Sequence, residues 1–172
     1  MASPSESTTR LDLAGFNALA DADAIPLLLG VCSSPAWAAG VLAGRPYRSV
    51  DDLLDAADRV LHGLAEEEVD AALAGHPRIG DAVPPGRAWS AREQSSVSGA
   101  DDGVLQALAE GNRAYEERFG QVYLVCATGR SAREMLDFLH QRLSNDPATE
   151  RAVLREELRK INRIRLEQVV SR

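Results

Sequence analysis

The stretch QVYLVCATG, Gln121 to Gly129, decides the fold class. It is a short apolar run with two β-branched valines, and both a strand and a buried turn of helix are open to such a run. A strand needs a partner, and no partner run is in sight. The spacing therefore predicts a segment outside any sheet, in a chain that is otherwise helical.

The sequence on either side is punctuated as helices are. Downstream, SAREMLDFLHQRLSN opens on Ser131 with Glu134 three residues on, a capping box. Asp146 and Pro147 then start a last helix through PATERAVLREELRKINRIRLEQVV. Upstream, DDGVLQALAEGNRAYEERFG reads as a long helix with Gly120 near its end. SAREQSSVSGADD is read as a short helix and then a turn, and GHPRIGDAVPPGRAW is a polar loop rich in proline and glycine. EEEVDAALA places its acidic residues in a first turn, where the helix dipole favours them. In RSVDDLLDAADRVLHGL, Ser49 and Asp52 make a variant capping box. Its Leu53, Leu54, Ala57, Val60 and Leu61 keep the spacing of one apolar face. In SSPAWAAGVLAG, Ser34 caps and Pro35 takes the first helical position. The sum is an all-α, single-domain helical bundle of about eight helices with at most one short strand.

Bulk composition agrees. The chain has 172 residues, 45% hydrophobic and 26% charged, which suits one soluble globular domain over residues 11–172. MASPSESTTR, residues 1–10, is small and polar and reads as a disordered tail, not a signal peptide. Aromatic residues are few, at 5%, and alanine and leucine dominate, which favours helix. The net charge of −7 argues against a nucleic-acid partner. The late basic residues are interleaved with glutamates, as on a solvated helix. No apolar run reaches the roughly 20 residues that cross a bilayer, so no membrane partner is expected. Cys32 and Cys126 both sit in apolar surroundings and read as buried thiols; a disulfide is unforced, and a reducing compartment is expected.

Of the three histidines, His62 falls at a helix end and His140 within a helix, ordinary places for either. No HExxH, paired CxxC or H-x-H occurs, so no metal site is expected. His76, in GHPRIGD, is different. Gly75 is the residue with which a helix leaves right-handed geometry, and Pro77 pushes the residue before it toward extended backbone. Gly80 lets the chain turn again. The imidazole is thus aimed by its backbone; a plain helix stop with an incidental last-turn cation is the competing account. Ser90 and Glu93 form either another capping box or, with Gln94, a polar set beside His76, where the carboxylate would favour imidazolium. Arg165 falls in the middle of the apolar stripe of Leu154, Leu158 and Ile161, while Arg163 points almost the opposite way. An arginine on a buried face needs an anionic or carbonyl partner. An internal salt bridge, a snorkelling head, and a clamp on a ligand carboxylate or urea oxygen all meet that need.

Together GHPRIGD, SAREQSSVSGAD, YEERFGQVYLVCATGRSAREML and RLSNDPATERAVLREELRKINRIRLEQ resemble 2-oxo-4-hydroxy-4-carboxy-5-ureidoimidazoline (OHCU) decarboxylases, of the uric acid to allantoin pathway. The likeness runs over roughly residues 12 to 170, and the CATGRS form is similar to the bacterial branch. It implies an all-helical enzyme that uses no cofactor and acts as a homodimer on a small ureidoimidazoline. It implies that His76 is the acid/base and Glu93 its partner. It implies substrate contacts at Pro77, at Ser90, Ala91, Arg92 and Gln94, at Tyr123, Leu124, Val125, Cys126 and Ala127, and at Arg165. Some relatives end in a peroxisomal tripeptide; this chain ends in VVSR, so a cytoplasmic location is expected. On that reading the backbone amides near Cys126 hold carbonyl oxygens. The rivals are a non-catalytic all-α interaction domain and a metal-dependent amide hydrolase.

Overall fold

The computed structural model describes residues 10–81 and 88–172, with backbone alone for residues 88–90. The expected tail, residues 1–10, lies outside them except for Arg10. Nine helices and two short strands occur among the described residues: β1 (Leu11–Asp12), α1 (Leu13–Ala18), α2 (Asp21–Val31), α3 (Pro35–Ala43), α4 (Val50–His62), α5 (Glu66–Ala74), α6 (Ala88–Glu93), α7 (Asp102–Phe119), α8 (Ala132–Arg142), α9 (Pro147–Val169) and β2 (Val170–Ser171). The all-α expectation is borne out. The strands form a two-residue parallel pairing, Leu11 with Val170 and Asp12 with Ser171, too short to leave a period in the sequence.

Contacts divide the chain into two compact units. One comprises residues up to Leu64 with Asn162–Arg172, the other Ala65–Ile161. In the first, Ser34 Oγ accepts from Trp37 N–H at 3.0 Å with Pro35 opening α3, and Ser49 accepts from Asp52 N–H at 3.0 Å to start α4. The Asp52 carboxylate turns instead to Arg48, at 2.9 Å. Val50, Leu53, Leu54, Ala57 and Leu61 are the buried face of α4. Gly40 lets α3 lie close on α4, since a methyl there would meet Val60 Cγ1 at 2.7 Å.

The second unit carries α5 to α8 and the first part of α9. Its core joins Leu108 and Tyr115 of α7, Met135, Leu136 and Leu139 of α8, and Tyr123 and Val125 of the segment between. Ser131 and Glu134 form the capping box of α8, and Gly120 ends α7 in left-handed conformation at φ 70°. Residues 122–127 take neither helix nor strand, although Tyr123 through Ala127 are all buried. A buried segment without a ladder must find its hydrogen bonds elsewhere. Tyr123 lays its ring edge-on to Tyr115, centroids 5.4 Å apart, and its hydroxyl donates to Met135 O at 2.9 Å. Arg142 Nη1 donates to Leu124 O at 2.6 Å, and Cys126 N–H donates to Glu157 Oε2 at 2.7 Å.

Candidate active site

The site begins where α5 stops. Gly75 stays right-handed, at φ −72° and ψ −9°, so the left-handed exit open to a glycine is not used. The helix tightens instead: Gly75 N–H donates to Ala72 O at 3.3 Å and His76 N–H to Leu73 O at 3.0 Å. The positive φ comes later, 92° at Gly80, where the chain turns again. Three side chains then hold the loop. Arg78 makes a two-pronged ion pair with Glu116 of α7, at 2.5 and 2.8 Å. Asn112, one turn earlier on α7, donates to Ile79 O at 2.9 Å. Gln94 accepts from Gly80 N–H at 3.1 Å and donates to Arg78 O at 3.3 Å.

His76 is 9% exposed, and its Nδ1 lies 3.0 Å from Ala72 O. A carbonyl can only accept, so Nδ1 carries the proton in the neutral ring and Nε2 holds the lone pair. The imidazole is locked in orientation by its own helix. It faces a cavity of about 10 Å³, room for about one water molecule. Pro77 and Ile79 line it from the loop, Glu93 and Gln94 from α6 and its end, Leu124, Val125 and Ala127 from the irregular segment, and Ile161 from α9. One imidazole and one carboxylate thus share a small cavity walled by aliphatic side chains. The Cys126 thiol is not among its walls. Burial, the largest cause, pushes that thiol above its ordinary value; Glu157 and Glu93 add to the rise, while the Thr128 backbone and Arg130 oppose it. The group is a neutral thiol at physiological pH.

Seven of the residues singled out in the sequence therefore come together: His76, Pro77, Glu93, Gln94, Leu124, Val125 and Ala127. Tyr123 and Cys126 are buried in the same segment but do not line the cavity. The Cys126 amide, expected to hold a ligand oxygen, is taken by the Glu157 carboxylate. Ala91 and Arg92 are exposed on α6. Ser90 lies inside α6, and its side chain, with the capping-box reading placed on it, lies outside the described residues. Arg165 belongs to the first unit, 6% exposed, and its Nη1 donates to Val31 O at 3.0 Å, at the C-terminal end of α2. Of the partners open to it, that one is a carbonyl, favoured by the negative end of the helix dipole. Arg163 does point elsewhere, to Asp58 at 2.7 Å.

Sequence reading missed Asn112, Glu116, Arg142, Glu150 and Glu157, which hold the loop and the irregular segment. The signal that marks Arg165 was available for several of them: Asn112, Arg142 and Glu157 are polar residues on buried helix faces. Among the described residues, no group of three or more histidine, cysteine, aspartate or glutamate side chains could hold a metal ion. No helix there is long and apolar enough to cross a membrane.

Fold and site define a class first: an all-α protein with an oriented imidazole and a carboxylate lining one small cavity, groups able to exchange a proton with a small molecule. The chain belongs to the OHCU decarboxylase family, whose sequence model matches residues 17–167. It is 29% identical over 142 residues to the 2-oxo-4-hydroxy-4-carboxy-5-ureidoimidazoline decarboxylase of Amia calva, covering 80% of this chain and 81% of that one. It is 27% identical over 146 residues to the uric acid degradation bifunctional protein TTL of Arabidopsis thaliana, covering 81% of this chain. It spans only 45% of that longer relative. A crystal structure of OHCU decarboxylase in the presence of (S)-allantoin superposes with a TM-score of 0.70 at 27% identity, over 81% of this chain and 93% of that one. A crystal structure of (S)-allantoin synthase, 16% identical with a TM-score of 0.74 over 94% of this chain and 54% of that one, shares the fold.

Proposed function

We propose that this chain decarboxylates 2-oxo-4-hydroxy-4-carboxy-5-ureidoimidazoline to (S)-allantoin in uric acid degradation, with His76 as the acid/base. The observation that carries the reading is the His76 ring, held by Ala72 O and facing the same cavity as Glu93, in a chain of this family. The substrate carries its own electron sink. Loss of carbon dioxide leaves its bonding pair as a double bond between the two ring carbons, while the pair of the adjacent ring C=N moves onto its nitrogen, which takes up a proton. The resulting enol hydroxyl gives up its proton as the carbonyl forms, and the ureido-bearing carbon receives one. That sequence asks nothing of a cofactor. It asks the protein for orientation and for one proton carrier.

With Nδ1 on Ala72 O, Nε2 is the nitrogen that takes the hydroxyl proton and returns it to carbon. Delivery from one side sets a single hand at the new centre. Glu93 orients the imidazole and accepts from ureido or ring N–H groups. The aliphatic walls Leu124, Val125, Ala127 and Ile161 favour departure of a neutral molecule over retention of a carboxylate. The resemblance assigns Arg165 to the same substrate, and it also assigns a homodimer. The Gln94 bonds to Arg78 and Gly80 are neutral and exchangeable for bonds to the heterocycle, whereas the 124–127 wall is tied to ions.

The test adds purified protein to freshly generated substrate, with and without chelator, and follows product by circular dichroism. Wild type yields one enantiomer of allantoin at equal rate in both. His76→Asn and His76→Ala lose the rate, by about 10²–10⁴-fold for a general acid/base, and the uncatalysed product is racemic. A single enantiomer formed at wild-type rate by His76→Ala removes His76 as proton carrier. Inactivity of the wild type favours a non-catalytic interaction domain.

A further inference from the structure

We propose that Glu157 is a positioning residue of this site, acting on catalysis through the backbone of Cys126. The inference rests on the decarboxylase reading above. The pocket wall formed by Leu124, Val125 and Ala127 belongs to a segment with no strand partner, so nothing regular fixes where its peptide planes lie. Two buried ions do so from side chains. Arg142 holds Leu124 O, and Glu157 holds Cys126 N–H, one on each side of Val125. A carboxylate receiving a peptide N–H makes a bond stronger and shorter than an amide–amide one.

Glu157 is itself held. Its Oε1 accepts from Lys160 Nζ at 2.7 Å, and Arg130 Nη1 stands 3.9 Å from its Oε2. The Arg130 guanidinium lies 4.4 Å over the Phe138 ring, which limits its freedom in turn. Glu157 is 6% exposed and does not line the cavity. It therefore acts on the cavity through the wall and not from its surface. Its effect is to set the distance between the aliphatic wall and the His76 ring, and misplacement of a reacting group by about 1 Å costs about a hundredfold in rate.

Three variants separate placement from charge. Glu157→Ala removes the acceptor, Glu157→Gln keeps an acceptor without charge, and Glu157→Asp keeps the charge but withdraws it by one methylene. Wild-type turnover first tests the decarboxylase reading by itself. Then kcat, KM and product handedness are measured with the amide resonances of residues 124–127 and the ring protons of His76. The proposal expects Glu157→Ala and Glu157→Asp to lower kcat about 10–100-fold, to admit some of the opposite enantiomer, and to move those resonances. It expects Glu157→Gln to restore most of both. If Glu157→Ala does not fold, Glu157→Asp carries the same comparison. Wild-type kcat and handedness in Glu157→Asp overturn the proposal, as does a Glu157→Gln as impaired as Glu157→Ala, since the neutral acceptor it keeps would then count for nothing. Should the wild type be inactive, unmoved 124–127 and His76 resonances in Glu157→Asp overturn it independently.

Discussion

Cys126 shows how one side chain can sit beside the cavity of His76 and Glu93 and stay chemically silent. Burial and two carboxylates raise its thiol pKa, and each unit of rise cuts the thiolate fraction about tenfold. In the native protein at pH 8 Cys126 is therefore expected to resist alkylation, and to react fully once denaturant exposes it; peptide mass mapping after iodoacetamide treatment reads both. Rapid native labelling at Cys126 contradicts the burial and charge described. At the same scale, His76 and Glu93 were legible because Pro77 restrains the backbone before it and because polar residues clustered in SAREQ. The tie from Nδ1 to Ala72 O was not, since it depends on a side-chain rotamer that no residue spacing encodes.

Among the elements, the irregular segment between α7 and α8 carries the largest consequence. Arg142 donates from Nε and Nη2 to Glu150 Oε1, at 2.8 and 2.6 Å, and the Tyr115 hydroxyl donates to the same carboxylate. Asn145 Nδ2 takes its other oxygen at 2.8 Å. Burial works against the Arg142 cation, but the Glu150 bonds and charge outweigh it and leave its pKa raised. Removing one member strands the other. Arg142→Met should cost about 3–5 kcal/mol, as for a broken buried pair, and adding Glu150→Gln should recover part of it. Urea denaturation of both variants measures this, and equal stability of the two refutes the coupling. Close approach completes the packing, for a methyl on Gly111 of α7 would drive into Leu139 of α8, which is fully buried.

For the molecule as a whole, stability should fall away on both sides of neutrality. Glu66 and Glu116 are held below the ordinary carboxylate value of 4.5, first by hydrogen bonds from Arg151 and Arg78, with burial opposing. A lowered folded pKa means stability present above 4.5 and lost as pH falls through the lowered values. At the other end burial, foremost, raises the Tyr115 and Tyr123 phenols above the ordinary 10.0. The folded state resists their ionisation, so stability is whole below pH 10.0 and lost as pH climbs beyond it. Melting temperature against pH is expected to show both limbs. The acid limb should be the shallower in low salt and vanish first in high salt, because surface ion pairs contribute only about 0–1 kcal/mol each. A melting temperature unchanged from neutral pH to pH 3 would contradict the acid limb.

Helices, caps and turn points are written locally, and so they were readable: Ser34, Ser49, Ser131 and Gly120 act within four residues of themselves, where spacing alone sets the geometry. The sequence by itself also determined that no sheet would form around residues 121–129, because no second apolar run was there to pair with it. What only the tertiary structure decided is how that unpaired segment is satisfied. Glu157, Arg142 and Glu150 reach its neighbourhood from helices 18 to 31 residues away in sequence, and which buried ion meets which peptide group is fixed by packing across space. The pocket wall follows from that choice, and with it the cavity that His76 and Glu93 share.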